Sequence, residues 1–228
     1  MKSLPLHRWD VTPAEARRIQ EELRRRVRAE RPHTISPERI RRIAGADVAL
    51  DTARGRAIAG VLVYSFPALE ELERAWSAQP LQFPYVPGLL SFREVPALLA
   101  AVERLRESFD LLFCDAHGYA HPRRFGLACH LGVLLGQPTV GVAKSRLIGT
   151  HAEPAPEPGA WAPLLDAGET IGAVLRTRAG ARPVYVSVGY RIELQSAIQL
   201  TLAVCDGYRI PRPTREADHY VEAIKRSC

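Results

Sequence analysis

Three aspartates occupy places where carboxylate chemistry can gather. Asp115 follows the run Leu111-Leu112-Phe113-Cys114, which is short, rich in large apolar groups and predicts a strand buried on both faces. Ligands of open sheets bind beyond the carboxyl ends of such strands, so Asp115 either stands at a site or ends its strand in a plain turn. Asp47 interrupts a second apolar stretch, Ile43-Ala44-Gly45-Ala46-Asp47-Val48. An acid there is costly unless it is paired, metal-bound or at an edge facing water. Asp218 borders the face shared by Ala217, Val221 and Ile224 on a C-terminal helix, so it can point into the body. Neighbouring carboxylates raise one another's pKa unless a cation neutralises them. A hard divalent ion such as Mg²⁺ takes oxygen ligands and keeps several waters. It can then activate water and stabilise charge on a transferring phosphate.

A single lysine adds to this set. Of the 31 basic residues, all but Lys2, Lys144 and Lys225 are arginine. Lys144 is delivered by the short apolar run Thr139 to Ala143, either as a cation for phosphate or as an ordinary strand-end residue. His117 and His121 follow Asp115 with the spacing Asp-x-His-x-x-x-His. A zinc hydrolase on that spacing needs a third protein ligand, and the sequence offers none nearby. His117 reads as structural, and His130 as filler within a helix.

The elements that must position these groups are legible in outline. Thr12-Pro13-Ala14-Glu15 resembles a capping box with proline at the first helical position, opening a helix over 12–28. Ala16, Ile19, Leu23 and Val27 share one face of it; Arg17, Arg18, Arg24, Arg25 and Arg26 form the other, which is either solvated or phosphate-contacting. Arg41–Leu50, Ala57–Tyr64 and Glu71–Ala78 predict an antiparallel meander. Phe83-Pro84-Tyr85-Val86-Pro87-Gly88 is held extended by its prolines and presents Tyr85 on a stiff loop. A helix is expected from Pro96 to about Glu107, another over Arg124–Leu135 stopped by Gly136 and Pro138, and a surface loop over His151–Pro163. Strands follow at Thr170–Arg176 and Pro183–Val188, then a helix from Glu193 to about Cys205. Pro211 and Pro213 break the chain, and Thr214 is expected to cap the last helix.

Composition sets the class. With 46% hydrophobic and 25% charged residues the chain is globular, and its 228 residues suit a single domain. No apolar run is long enough to span a bilayer and the N-terminus carries no signal-peptide core, so a cytoplasmic protein without membrane attachment is expected. Cys114, Cys129, Cys205 and Cys228 show no paired spacing and read as thiols in a reducing compartment. The net charge of +6 favours a polyanionic partner.

Antiparallel strands, then alternating helix and strand, then a helix carrying an acid, is the layout of an α/β ribonuclease H-like fold: a mixed central sheet flanked by helices. Within it Ala44-Gly45-Ala46-Asp47, Pro84-Tyr85-Val86-Pro87-Gly88-Leu89-Leu90-Ser91-Phe92-Arg93-Glu94, Asp115-Ala116-His117-Gly118, His121-Pro122-Arg123-Arg124 and Gly141-Val142-Ala143-Lys144 closely resemble endonuclease V, over about residues 35–220 and in the family's order. The resemblance implies a DNA repair endonuclease that recognises deoxyinosine, the deamination product of deoxyadenosine. It implies Mg²⁺-dependent hydrolysis of the second phosphodiester bond 3′ to the lesion, leaving 3′-hydroxyl and 5′-phosphate ends, with Mn²⁺ as a substitute ion. By resemblance Asp47 and Asp115 bind metal, Glu94 is a catalytic acid near it, and Asp218 completes the cluster. His121 positions water or phosphate, and Lys144 meets phosphate or leaving-group charge. Glu94 has two plainer readings, a partner of Arg93 or a helix cap. Pro84, Tyr85, Val86 and Pro87 match the family's DNA wedge, and Gly88, Leu90, Ala116 and Gly118 its lesion pocket. Many members carry glycine where Ala116 stands, which bears on lesion range. The partner implied is DNA with deaminated bases, bound by a monomer. An inosine-specific endoribonuclease acting on RNA and a non-catalytic lesion-binding module are the alternatives.

Overall fold

Leu111-Leu112-Phe113-Cys114 forms strand β4 (Leu111–Cys114) near the centre of an eight-stranded sheet, in a computed structural model that describes residues 3–29 and 35–227. All four side chains are buried; a buried side chain the size of Leu or Phe contributes about 1.5–3 kcal/mol. Parallel partners flank β4, β1 (Arg42–Asp51) on one side and β5 (Thr139–Ala143) on the other. Beyond β1 lie β2 (Arg56–Ser65) and β3 (Glu71–Pro80), the expected antiparallel meander. Beyond β5 come β8 (Val184–Tyr190), β7 (Glu169–Leu175) and β6 (Trp161–Asp166), each antiparallel to its neighbour. The order β3-β2-β1-β4-β5-β8-β7-β6 is the mixed α/β sheet that the sequence layout implies.

Helices cover both faces. On one, α2 (Leu90–Val102) and α3 (Leu127–Leu135) pack Val95, Leu98, Val102 and Leu131 against Ala44, Ala46, Leu112 and Cys114. On the other, α4 (Leu194–Ala203) and α5 (Arg212–Ser227) pack Ala197, Leu200 and Ala217 against Ile43, Leu111, Phe113 and Val140. The N-terminal helix α1 (Pro13–Ala29) lies on α3, with Leu23 against Phe125, Cys129 and Val133. Its capping box is closed: the Thr12 N–H donates to Glu15 Oε2 at 2.7 Å and the Glu15 N–H to Thr12 Oγ1 at 3.3 Å. Cys114, Cys129 and Cys205 are buried free thiols, and Cys228 lies outside the described residues. Among the described residues no helix is long and apolar enough to cross a membrane.

Four expectations need correction. First, α2 begins at Leu90 and carries Pro96 inside it, because the stripe of Phe92, Val95, Leu98, Leu99 and Val102 runs continuously through the proline. It stops at Val102 rather than Glu107, because the Glu73 carboxylate accepts the Arg106 and Glu107 N–H groups at 2.9 and 2.8 Å. Second, α3 starts at Leu127, since Arg124 adopts a left-handed φ of 55° and cannot sit in a helix. Third, the expected loop ends earlier: Trp161–Asp166 is an edge strand alternating exposed and buried positions, with Pro163 tolerated at the sheet margin. Finally, α5 starts at Arg212, with Pro213 in its first turn, and the Thr214 hydroxyl donates to the Pro211 carbonyl at 3.1 Å instead of capping.

Candidate active site

Sheet parity brings the acids to one side. Ile43, Gly45 and Asp47 alternate with Ala44 and Ala46, which face α2 and α3, so Asp47 faces α5. Phe113 and Asp115 follow the same parity on the neighbouring strand, where the Asp115 N–H donates to the Ala46 carbonyl at 3.3 Å. Two glycines let α5 come close. A Cβ on Gly45 would stand 2.2 Å from the Pro213 backbone, and one on Gly60 would stand 2.7 Å from Val221 Cγ1. The helix therefore lies almost on the backbone of β1 and β2, and delivers Asp218 to the other two acids. Asp47, Asp115 and Asp218 each offer an oxygen within 4.8 Å of the others, and among the described residues this is the one group of three or more potential metal ligands. Asp115, His117 and His121 form no such group, so the zinc spacing does not converge.

The electrostatics are those of crowded, partly dry acids. Burial and then the Asp115 charge push Asp47 up to about 8, although the Val48 N–H donates to its carboxylate at 2.8 Å. Glu94, on α2, is pushed up to about 8 by burial and then by Asp47. Asp115 is also raised by burial, while Lys144 pulls it back. Lys144 Nζ stands 2.6 Å from Asp115 and 2.9 Å from Asp218. Burial alone would lower this ammonium, and its two carboxylate contacts more than reverse that. A clustered all-oxygen donor set, in which burial raises Asp47 and Asp115, suits a hard divalent cation.

Beside the acids opens a cavity of about 350 Å³, bordered by Gly88, Leu90, Asp115, Ala116 and Lys144. Tyr85, Val86 and Pro87 rim it, and Tyr85 is 72% exposed. Gly118 lies elsewhere: its Cα packs under β8, where a Cβ would stand 2.2 Å from the Val188 carbonyl oxygen. Both nitrogens of His121 meet main chain. Nε2–H donates to the Gly88 carbonyl at 3.0 Å, and Nδ1 accepts the Arg123 N–H at 3.2 Å. Burial, then the Arg123 charge, lowers His121 to about 4, so the ring is neutral at physiological pH. His117 donates to the Ser145 carbonyl at 3.0 Å.

Sequence reasoning missed Gln20. It is 1% exposed on α1 and donates to the Gly88 and Phe125 carbonyls, while Arg123 Nε donates to its Oε1 at 2.6 Å. The signal was present, because Gln20 sits on the apolar face one turn from Ala16. Ser91 was missed as well: its hydroxyl meets Nδ1 of the fully buried His130 at 3.0 Å, and His130 Nε2 meets His7 Nε2 at 2.7 Å.

An acid triad and a lysine at the carboxyl ends of a mixed sheet, beside a base-sized cavity, define a metal-dependent nuclease of ribonuclease H-like architecture. The family model for endonuclease V matches residues 21–219. An endonuclease V of Roseiflexus sp. (strain RS-1) is 50% identical over 210 residues, 92% of this chain and 92% of that protein. The crystal structure of the Streptomyces avermitilis endonuclease V superposes with a TM-score of 0.90 at 44% identity, covering 96% of each chain. The Ciona intestinalis endonuclease V, in complex with a 24mer DNA containing an inosine followed by a ribo-adenosine, has the same fold, with a TM-score of 0.81 at 24% identity over 94% of this chain and 98% of that one. The chain belongs to the endonuclease V family.

Proposed function

We propose that this protein recognises deoxyinosine in DNA and hydrolyses the second phosphodiester bond 3′ to it, leaving 3′-hydroxyl and 5′-phosphate ends. The observation that carries the reading is the adjacency of three convergent acids, one lysine and a cavity of about 350 Å³ rimmed by an exposed tyrosine. Asp47, Asp115 and Asp218 would hold Mg²⁺ or Mn²⁺, which when bound activates water and neutralises charge on the phosphate. Glu94, raised to about 8, is suited to exchange a proton near neutral pH. Lys144 orients Asp115 and Asp218 and offers its charge to the leaving oxygen. Tyr85 fills the gap left by an extracted base; extraction costs a few kcal/mol and stacking on an aromatic ring returns about 1–3 kcal/mol. Gly88, Leu90 and Ala116 border the space for the extracted base, and His121 braces that border. The protein acts as a single-domain monomer in the cytoplasm.

The test is an end-labelled oligonucleotide with one inosine, read at nucleotide resolution with and without Mg²⁺. One nick, one nucleotide beyond the lesion's own 3′ phosphodiester and only with the ion, supports the reading, and a cut elsewhere overturns it. Asp115→Ala should abolish nicking while inosine binding survives. The Ciona intestinalis protein was crystallised with a ribonucleotide after the inosine, which favours an endoribonuclease as the second reading. Relative rates on matched DNA and RNA strands separate the two.

A further inference from the structure

Lys144 and Ser145 line two hollows: the base-sized cavity on one side, and on the other a groove of about 470 Å³ between the end of β5 and the start of β8. Lys144 also contacts Asp115 and Asp218, so a strand with its base in the cavity and its scissile phosphate at the acids could continue past Lys144 into this groove. Its charge is lopsided, with Lys144, Arg146, Arg176, Arg182 and Arg209 set against Glu153. Arg176 already pairs with Glu153 at 2.5 Å, and Lys144 is committed to the acid cluster.

Three guanidinium groups are left over. Arg209 has no carboxylate partner among the described residues. It is pinned by three carbonyls, those of Arg182 at 2.8 Å, Lys144 at 2.7 Å and Pro183 at 3.1 Å, so its charge is fixed in place. That charge is felt at Asp115, which it helps to hold down. Arg146 and Arg182 are exposed and make no ion pair or side-chain hydrogen bond among the described residues. Rigid positive charge flanked by two unengaged guanidinium groups suits the repeated monoanions of a nucleic-acid backbone, which arginine binds in a forked geometry.

We propose that this groove is the subsite for the phosphodiester backbone on the 3′ side of the scissile bond, with Arg146 and Arg182 contacting phosphates beyond it. The proposal rests on the function given above, because a strand cut 3′ to a base held in the cavity would present its 3′ side to the groove that shares Lys144 with the cavity. It predicts that affinity depends on the 3′ flank and not on the 5′ flank through these two arginines.

The experiment measures binding by fluorescence anisotropy in EDTA, on single strands with one inosine. In one series the 3′ flank grows from a single nucleotide beyond the scissile bond to several, and in the other the 5′ flank grows equally. The wild type should tighten as the 3′ flank lengthens. The Arg146→Ala/Arg182→Ala double variant should lose that gain, about tenfold in Kd, and show a salt slope shallower by about 1.4 for two lost contacts on a single strand. The double variant should bind the shortest 3′ substrate as the wild type does, and lysine at both positions should restore part of the gain. A double variant that weakens the 5′ series, or that binds every substrate like the wild type, overturns the proposal. A wild type that tightens along the 3′ series yet never nicks inosine would sink the functional reading and leave the groove's affinity for backbone measured. Because neither side chain makes an ion pair or side-chain hydrogen bond among the described residues, equal thermal unfolding of variant and wild type is expected and is checked in parallel.

Discussion

Lys144 holds its ammonium 2.6 Å from the Asp115 carboxylate while its second contact, at 2.9 Å, reaches Asp218 on α5. The lysine thus ties the end of a central strand to the last helix, across the place where the acids converge. Lys144→Ala should lower the single-turnover nicking rate by about 10²–10³-fold, the usual cost of removing one group that stabilises developing charge. Affinity for the inosine strand should change little, since Lys144 is one of several cations nearby. Lys144→Arg should rescue poorly, because a planar fork cannot replace a compact ammonium between two carboxylates. Equal nicking by wild type and Lys144→Ala would remove the lysine from the chemistry.

The acid cluster makes stability depend on pH and metal together. Asp47 and Glu94 both lie at about 8 in the folded chain, against about 4 for free carboxyls. Between those values the folded state binds more protons than the unfolded one, so stability is full below the unfolded pKa and is lost as pH rises through about 8. In EDTA the Tm should fall from pH 6.5 to 8.5. Mg²⁺ should flatten that slope by compensating the ionised carboxylates. Asp47→Asn should flatten it in EDTA and blunt the response to Mg²⁺. A Tm that stays level across this range in EDTA would contradict the crowding.

Tyr85 is exposed on a loop stiffened by Pro84 and Pro87, so its side chain contributes little to the fold. Tyr85→Ala should leave Tm unchanged and lower kcat/KM on duplex substrate by about 10- to 100-fold, the equivalent of about 1–3 kcal/mol of stacking. On a single strand, where no neighbour stack needs filling, the loss should be smaller. Tyr85→Phe should behave as the wild type. A loss equal on duplex and single strand would argue for a contact other than wedging.

Much of this arrangement was legible in the chain. Asp47 betrayed itself as an acid in an apolar strand, Asp115 as the end of a buried one, and Lys144 as a lysine where arginine was the rule. What was hidden came from tertiary context. Pro96 reads as a helix start, yet the apolar stripe of α2 passes through it, so packing overrides the local signal. The stretch 161–163 reads as the end of a loop because Pro163 and the short length mask an edge strand that needs only one neighbour. The closeness of α5 to β1 depends on Gly45 meeting Pro213, a contact between residues far apart in sequence that no local pattern displays. Gln20 is a polar residue on an apolar face whose partner, the Gly88 carbonyl, lies on a distant loop.

That carbonyl is the last point of leverage. Gly88 O accepts from Gln20 Nε2 at 3.1 Å, His121 Nε2 at 3.0 Å and Arg123 Nη2 at 2.6 Å, which clamps the turn that leads from the Tyr85 loop into α2. Burial holds His121 down at about 4 and both its nitrogens meet main chain, which suits a positioning contact better than a proton carrier. His121→Ala should therefore raise KM for inosine DNA more than it lowers kcat, as expected when a positioning contact to the pocket border is lost. Its pH–rate profile between pH 5.5 and 8.5 should keep the wild-type shape. His121→Gln, whose side-chain amide nitrogen takes the place of Nε2 and can still donate toward Gly88, should recover part of the KM. If His121 were instead the proton donor or acceptor of the reaction, its removal would erase one limb of that profile, and glutamine would rescue nothing.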